Sequence, residues 1–171
     1  MSFGTFSYPI PANEPVNSYA PGTPEKAALK KAIADLKKKT LDIPMYIVCK
    51  SFKTGNKVSI HPPHETAHTL GFFHAGEEKH VHQAIDAALK AKEAWAAMSW
   101  ENRAHIFLKA ADLLATKYRY VLNASTMLAQ SKNAFQSEID SICEMVDFLR
   151  FNVQYMAEIY NEQPPANAKG I

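Results

Sequence analysis

Apolar residues recur every three or four positions between residues 24 and 40, which is the spacing of one buried helix face. Thr23 and Pro24 precede the pattern as a hydroxyl N-cap and a proline at the first helical position. Lysines occupy most of the opposite face, and Pro44 lies beyond the end. The pattern therefore predicts an amphipathic helix over 24–40. The residues expected on its buried face are Ala28, Leu29, Ala32, Ile33 and Leu36.

The spacing changes between residues 43 and 75, where short β-branched or aromatic runs replace the helical repeat. Turn-forming residues at 54–56 and the pair Pro62–Pro63 separate these runs. They predict a small antiparallel set of two or three strands. The runs lie at 45–48, 58–60 and 70–73. Because so small a set is marginal by itself, we expect it to pack on another part of the protein.

Helical spacing returns at residue 76 and continues to about 163. It predicts four helices, at about 77–97, from a cap at Ser99, at 119–130 and at 133–160. Pro164 and Pro165 end the pattern, so we expect 164–171 to be a linker. The first two of these helices are expected to bury Val81, Ile85, Ala88, Trp95, Ile106, Ala110, Leu113 and Leu114.

The last predicted helix carries apolar stripes on two opposite sides. The longer stripe alternates spacings of four and three, and consists of Phe135, Ile139, Ile142, Val146, Leu149, Val153, Met156 and Tyr160. Phe148, Phe151 and Tyr155 lie about 180° round the helix, because each residue advances about 100°. Glu144 is four residues before Phe148, on that second face. A carboxylate on a covered face needs a partner, either a nearby Lys or Arg or a ligand.

Composition sets limits on the remaining function classes. Residues 1–23 hold four prolines among small and polar residues, so we expect an extended arm. Hydrophobic residues form 47% and charged residues 21% of the 171, as in globular proteins. No apolar run approaches the roughly 20 residues of a membrane span, so we expect no membrane partner. The net charge of +2 favours no nucleic acid, and nine lysines within 26–57 are typical of a solvated helix face.

Histidines and cysteines could carry chemistry, but neither set forms a recognised site. Six of the seven histidines fall within 61–82, without the ligand spacing or cysteine pairs of a zinc site, so no metal is predicted. Cys49, in a predicted strand, and Cys143, in the last helix, have no base facing them. We expect both to be buried, reduced thiols. No glycine-rich phosphate loop occurs, so the chain by itself predicts no catalytic residues.

Three segments resemble the opening helices of the aldehyde dehydrogenase superfamily. They are QAIDAALKAKEAW (83–95), SWENR (99–103) and IFLKAADLLATKYR (106–119). Four more resemble, more narrowly, its L-glutamate gamma-semialdehyde dehydrogenase branch, also called 1-pyrroline-5-carboxylate dehydrogenase. They are ANEPV (12–16), GTPEKAALKKAIADLKKK (22–39), IPMYIV (43–48) and EIDSICEMVDFLRFNVQY (138–155). The resemblance runs in order from about Asn13 to the last residue.

The resemblance implies an α/β aldehyde dehydrogenase-like fold as a whole. This chain would be its mainly helical amino-terminal segment, with the small strands and the extended arm. It also implies NAD-dependent oxidation of L-glutamate gamma-semialdehyde to L-glutamate in proline breakdown. In that family a cysteine thiolate attacks the aldehyde and a glutamate-activated water releases the product. Both residues and the NAD site are expected beyond Ile171, so these 171 residues alone are predicted to be inactive.

One functional residue is carried over by the resemblance: Glu144 matches the family's acidic residue near the substrate amino group. We therefore expect Glu144 to bind substrate, with a structural ion pair as the alternative, and no catalytic, cofactor-binding or metal-binding residue here. Expected partners are the rest of the dehydrogenase, whose NAD-binding domain would cover 76–163, and a second subunit of a homo-oligomer. A free-standing helical interaction module is the alternative function. With no targeting segment visible, we expect a cytoplasmic protein.

Overall fold

The structure is a computed structural model that describes residues 8–162. Helices predominate in the described part, as predicted. They are α1 (Pro24–Lys37), α2 (Glu78–Ala97), α3 (Trp100–Ala115), α4 (Arg119–Gln130), α5 (Ala134–Ser137) and α6 (Glu144–Asn161). A π-helical stretch, Glu138–Cys143, joins α5 to α6 and is called the π segment below. The predicted linker, 164–171, and the first seven residues of the arm lie outside the described residues.

Local sequence signals place the helix starts. Pro24 opens α1, as predicted, but the predicted hydroxyl cap is wrong, because the Thr23 hydroxyl donates to the carbonyl of Ala20 at 2.8 Å and makes no capping hydrogen bond to the helix. Ser99 caps α3, because its Oγ accepts a hydrogen bond from the backbone N–H of Asn102 at 3.3 Å. The range predicted for α4, 119–130, is confirmed. Apolar spacing, the proline of α1 and the serine cap of α3 were therefore sufficient to place these three helices.

Five short strands lie between α1 and α2. They are β1 (Leu41–Ile43), β2 (Met45–Ile47), β3 (Lys50–Phe52), β4 (Lys57–Ile60) and β5 (Gly71–His74). β5 is the centre of a three-stranded sheet, with antiparallel β4 on one side and parallel β1 on the other. The structure thus has more strands than the two or three predicted, and β1, which lies outside the predicted runs, makes the sheet mixed instead of wholly antiparallel. A long connection separates β1 from β5, and it allows both strands to run in the same direction.

The strands β2 and β3 form a separate antiparallel hairpin. Val48 and Cys49 are its turn residues, with φ of 51° and 60°. Such positive values suit a two-residue hairpin turn. Cys49 is therefore exposed in a turn, and the prediction of a buried strand residue is wrong, whereas Cys143 is buried as predicted.

Two apolar clusters hold the helices together. In the first, Tyr19 of the arm joins Leu29 of α1 and Ala124 of α4, which confirms the predicted apolar face of α1. The second cluster connects α3, the π segment and α6. Its buried members are Ala111, Ile142 and Val146. The arm, α1 and α4 thus form one layer, and α3 with α6 forms the next.

Parts of the predicted helix faces are exposed. No residue of α2 is buried, and its apolar face of Val81, Ile85 and Trp95 is open to solvent. On α3 the buried residues are Ala104 and Ala111, not the predicted Ile106. Small alanines let α3 lie close to α6, so the bulkier face of α3 turns outward. No described residue covers these outward faces.

The last predicted helix is interrupted in register. Ile142, Val146 and Val153 are buried, as the long stripe predicts, but Phe135 before the π segment is 65% exposed. A π turn contains one more residue than an α turn, so positions before it do not stay in phase with those after it. The prediction of one continuous stripe from Phe135 is therefore wrong, and Glu138 takes the buried place instead.

Candidate functional site

A groove of about 450 Å³ runs between the arm and the outer face of α6. Its lining residues are Asn13, Glu144, Asp147, Phe148, Phe151, Asn152 and Tyr155. The second apolar stripe predicted from the sequence therefore shares one surface with Glu144, as expected. Three aromatic rings give this groove apolar walls, and two carboxylates give it a negative charge.

Glu144 lies at the first turn of α6 and is exposed to solvent. Its carboxylate has no hydrogen-bond or ion-pair partner among residues 8–162. The alternative of a structural ion pair is therefore not what the described residues show. Phe148 and Tyr155 are also exposed, so the predicted cover over this face is not supplied by the described part of the chain.

Asp147, one turn further along α6, has both carboxylate oxygens occupied. Its Oδ2 accepts a hydrogen bond from Nδ2 of Asn13, and its Oδ1 accepts one from the backbone N–H of Glu14, each at 2.7 Å. The two carboxylates of the groove are therefore unlike. Asp147 is committed to the arm, whereas Glu144 is available to a ligand.

The side chain of Glu14 anchors the arm to two helices. Its Oε1 pairs with Arg119 of α4 at 2.5 Å, and its Oε2 pairs with Arg150 of α6 at 2.6 Å. Arg119 also donates to the carbonyl of Pro15 at 2.7 Å. Because Glu14 and Arg119 are largely buried, these contacts are shielded from solvent and fix the arm beside the groove.

A second buried carboxylate, Glu138 in the π segment, receives donors from three directions. The Tyr19 hydroxyl donates at 2.6 Å, the backbone N–H of Asn17 at 2.9 Å and Nδ2 of Asn123 at 2.6 Å. Arg119 completes the set as its ion-pair partner. Burial opposes ionisation of Glu138, but these hydrogen bonds outweigh it and hold its pKa below the usual value.

Charge and burial also determine the protonation of two neighbours of Glu138, the Arg119 guanidinium and the Cys143 thiol. Burial alone would lower the pKa of the Arg119 guanidinium, but Glu138 and Glu14 together raise it, so Arg119 stays charged. Burial, followed by the Glu138 charge, raises the pKa of the Cys143 thiol to about 11. A thiol with so high a pKa is a poor nucleophile at neutral pH. Cys143 therefore behaves as a packed residue of this network.

The sequence did not point to this network. Glu138, Asn123 and Arg119 lie on helices whose apolar spacing gave no sign of a buried polar set. The one signal in the sequence was the run EID at 138–140, where two acids flank Ile139 of the predicted long stripe. The spacing of apolar residues does not distinguish a π turn from an α turn.

The histidine side chains of the described residues do not meet at a common site. His74 is buried in β5, where its Nδ1 accepts from the backbone N–H of Gly55 at 3.1 Å and its Nε2 lies 2.9 Å from Asp42. His61 contacts the carbonyl of His68, and neither meets a carboxylate ligand set. Within residues 8–162, no group of three or more His, Cys, Asp or Glu could hold a metal ion. No helix in that range is long and apolar enough to cross a membrane.

Comparison with known proteins agrees with the resemblance in the sequence. Residues 51–170 match the model of the aldehyde dehydrogenase family. The chain belongs to this family. A delta-1-pyrroline-5-carboxylate dehydrogenase of Agaricus bisporus is 47% identical over 97% of this chain and 31% of its own length. The mitochondrial human enzyme of the same name is 38% identical over 90% of this chain and 27% of its own length.

Solved structures give the same result for the fold. The delta-pyrroline-5-carboxylate dehydrogenase of Mycobacterium tuberculosis, bound with NAD and cobalamin, has a TM-score of 0.93 and 39% identity. It covers 98% of this chain, which covers 32% of that one. The described residues therefore have the fold of the amino-terminal part of an aldehyde dehydrogenase. The chain spans about a third of the length of these relatives.

The family match and the individual relatives cover different lengths of this chain. The family match begins at residue 51, so the arm, α1 and β1 lie outside it. The dehydrogenase of Agaricus bisporus nevertheless aligns with 97% of this chain, which includes most of those residues. The likeness to relatives of that name therefore extends over most of the arm, α1 and β1.

Proposed function

We propose that this chain is the amino-terminal segment of an NAD-dependent dehydrogenase that oxidises L-glutamate gamma-semialdehyde to L-glutamate, and that Glu144 binds the substrate amino group. Relatives named delta-1-pyrroline-5-carboxylate dehydrogenase support the reaction class. The remainder of the dehydrogenase would supply the reacting groups. A homo-oligomer completes the proposal, since the exposed apolar residues of α2 and α6 are of the kind that contact other protein.

The unpaired carboxylate of Glu144 is the observation that carries the site proposal. An ammonium group is the ligand that best matches a carboxylate in a groove with apolar walls, because it restores a charge-assisted hydrogen bond. Phe148 and Tyr155 can pack on the carbon chain of the substrate, as binding grooves generally combine apolar walls with few polar groups. This arrangement distinguishes an amino-bearing aldehyde from one without the amino group.

The same groove is unsuited to NAD. The pyrophosphate of a dinucleotide is anionic, and Glu144 and Asp147 would repel it. NAD, which accepts hydride in reactions of this class, is therefore expected to bind residues of the remaining dehydrogenase. In the proposal, the part played by these 171 residues is to recognise one end of the substrate.

The test replaces Glu144 with Gln in the full-length dehydrogenase. We expect KM for glutamate semialdehyde to rise about ten- to hundredfold with little change in kcat, because a hydrogen bond to a charged group is lost. Glutarate semialdehyde, which has the same chain without the amino group, should be oxidised with unchanged KM. Glu158→Gln on the exposed side of α6 is the matched control. Equal effects on both aldehydes would contradict an ammonium contact.

The interaction module remains the alternative function. Purified residues 1–171 should show no turnover of pyrroline-carboxylate with NAD if the chemistry resides in the remainder of the enzyme. Turnover above background would mean that reacting groups lie within this chain. The location in the cell also stays a prediction, since the sequence favoured the cytoplasm while human and Dictyostelium discoideum relatives are named mitochondrial.

A further inference from the structure

The groove contains two carboxylates that could each attract an ammonium group. Glu144 and Asp147 are three residues apart on α6, and residues at this spacing lie on the same helix face. Their positions differ by about 4.5 Å along the helix axis, at 1.5 Å per residue. A substrate held by the wrong acid would therefore present its aldehyde several ångströms from the reacting position.

The two acids differ in their hydrogen-bond partners. Oδ2 of Asp147 receives Nδ2 of Asn13, and Oδ1 receives the backbone N–H of Glu14, both at 2.7 Å. Glu144 has no such donor among the described residues. An incoming ammonium group would thus compete with Asn13 and the Glu14 N–H at Asp147, but with no described donor at Glu144.

We propose that Asn13 is a specificity-determining residue, which occupies Asp147 so that the substrate ammonium has Glu144 as its single available carboxylate. This inference rests on the function proposed for Glu144. Asn13 acts by excluding a second binding register, which is specificity achieved by disfavouring the wrong complex. Its side chain needs to make only one hydrogen bond to do so.

Two buried ion pairs keep Asn13 in this position. Glu14, its neighbour in the chain, is held by Arg119 and Arg150 from two different helices. The backbone N–H of Glu14 then meets Asp147 as a second donor. Asn13 therefore reaches the groove from a fixed support, and it needs little ordering when substrate binds.

The test is an Asn13→Ala variant of the full-length dehydrogenase. It frees Oδ2 of Asp147, which can then hold substrate in an unproductive register. Unproductive binding saturates the enzyme without turnover, so kcat and KM for glutamate semialdehyde should both fall about two- to fivefold, the range of an exposed ion pair. Glutarate semialdehyde should be oxidised as before. Asn102→Ala, at an exposed site on α3, is the matched control.

A double variant separates this mechanism from simple damage to the arm. Asn13→Ala combined with Asp147→Asn removes the spare negative charge, and the kinetics should return toward those of the unmodified enzyme. Failure of this rescue would overturn the proposal, as would an Asn13→Ala enzyme with unaltered kinetics. An Asp147→Asn enzyme that alone loses its preference for the amino group would also overturn it, because Asp147 would then contact substrate itself.

The two proposals fail in different ways. If Glu144→Gln affects both aldehydes equally, the ammonium contact is wrong. If Glu144→Gln raises KM only for glutamate semialdehyde while Asn13→Ala changes nothing, Glu144 keeps its role and the exclusion by Asn13 is wrong. The sign of the change in KM separates the two proposals, because KM for glutamate semialdehyde should rise in Glu144→Gln and fall in Asn13→Ala.

Discussion

Glu138 shows how one buried side chain can join separate parts of this protein. Its carboxylate binds the arm through Tyr19 and Asn17, and α4 through Asn123 and Arg119. A fully buried charge is costly unless it is paired and its remaining lone pairs accept hydrogen bonds. Both conditions are met here. The network therefore fixes where the arm lies, and through the arm the shape of the groove.

Replacement of Glu138 with Gln should destabilise the protein strongly. The variant leaves Arg119 with fewer acceptors and turns one oxygen into a donor that faces other donors. Loss of one partner of a buried ion pair costs about 3–5 kcal/mol, and we expect a decrease of that order in the free energy of unfolding. Urea unfolding followed by circular dichroism measures it. Asp35→Asn, at an exposed pair with Lys31, should leave the free energy of unfolding nearly unchanged, because solvent screens that pair.

The pH dependence of the free energy of unfolding tests the same Glu138→Gln variant. The pKa of Glu138 is lowered in the folded state, so its contribution is fully present above its unfolded pKa of about 4.3 and is lost as pH falls through the folded value. The difference in unfolding free energy between the unmodified protein and Glu138→Gln should therefore shrink as pH decreases below about 4. A difference that stays constant into acid would show that packing, not charge, accounts for the loss.

At the scale of the elements, Gly71 determines how the three-stranded sheet is assembled. It lies opposite Leu41 where β5 runs parallel to β1, and a Cβ there would lie within 2.9 Å of the Leu41 backbone nitrogen and closer still to its carbonyl oxygen. Backbone atoms of a paired strand cannot move aside as a flexible side chain can. A larger residue would therefore separate β1 from the sheet.

Gly71→Ala should lower the free energy of unfolding by about 1–3 kcal/mol, the usual cost of forcing extra volume into a packed site. Thermal unfolding of the variant measures this. Gly76→Ala is the control, because its added Cβ meets only the flexible side chain of Met45 at 3.1 Å. Equal stability of the two variants would mean that β1 is not held closely against β5.

The outcome for each element shows which physical effects a sequence pattern captures. The helices α1 and α4 were predicted because apolar spacing, and in α1 the opening proline, are local properties. The parallel pairing of β1 with β5 was missed, since strand direction depends on a distant partner. The π segment was missed because the extra residue in its turn is favoured by the buried Glu138 contacts and not by propensity.

The candidate site was predicted in part. Phe148 and Tyr155 share the face of Glu144, as helical geometry required. The wall formed by Asn13 could not be predicted, because a contact across 134 residues leaves no periodic signal. Its partner Asp147 was likewise not distinguished from other exposed acids. Long-range hydrogen bonds therefore account for most of what the sequence left open.

The described part of the molecule exposes broad apolar surface. The α2 residues Val81, Ile85 and Leu89 are each at least half exposed, and Phe148 and Ile159 add to the surface on α6. Contiguous exposed patches beyond a few hundred Å² mark interaction sites in soluble proteins. This distribution agrees with a segment whose outer faces contact more protein.

Purified residues 1–171 should therefore self-associate as their concentration rises. We expect Leu89→Glu to reduce association, since it places a charge within the apolar face of α2. Sedimentation velocity at several concentrations measures the change. Gln83→Glu is the control, because it adds the same charge at a polar position of the same helix. A protein that stays monomeric at high concentration would contradict this prediction.

The contacts of the arm also constrain the order in which the protein is assembled. Tyr19 meets Glu138 across 119 residues, and Glu14 meets Arg150 across 136. Closing loops of that length costs entropy before any contact compensates for it. During synthesis the arm is made before the helices that bind it, and it has no partner there until residues 119–150 have followed. The arm therefore reaches its place only after α4, the π segment and the first half of α6 have been made.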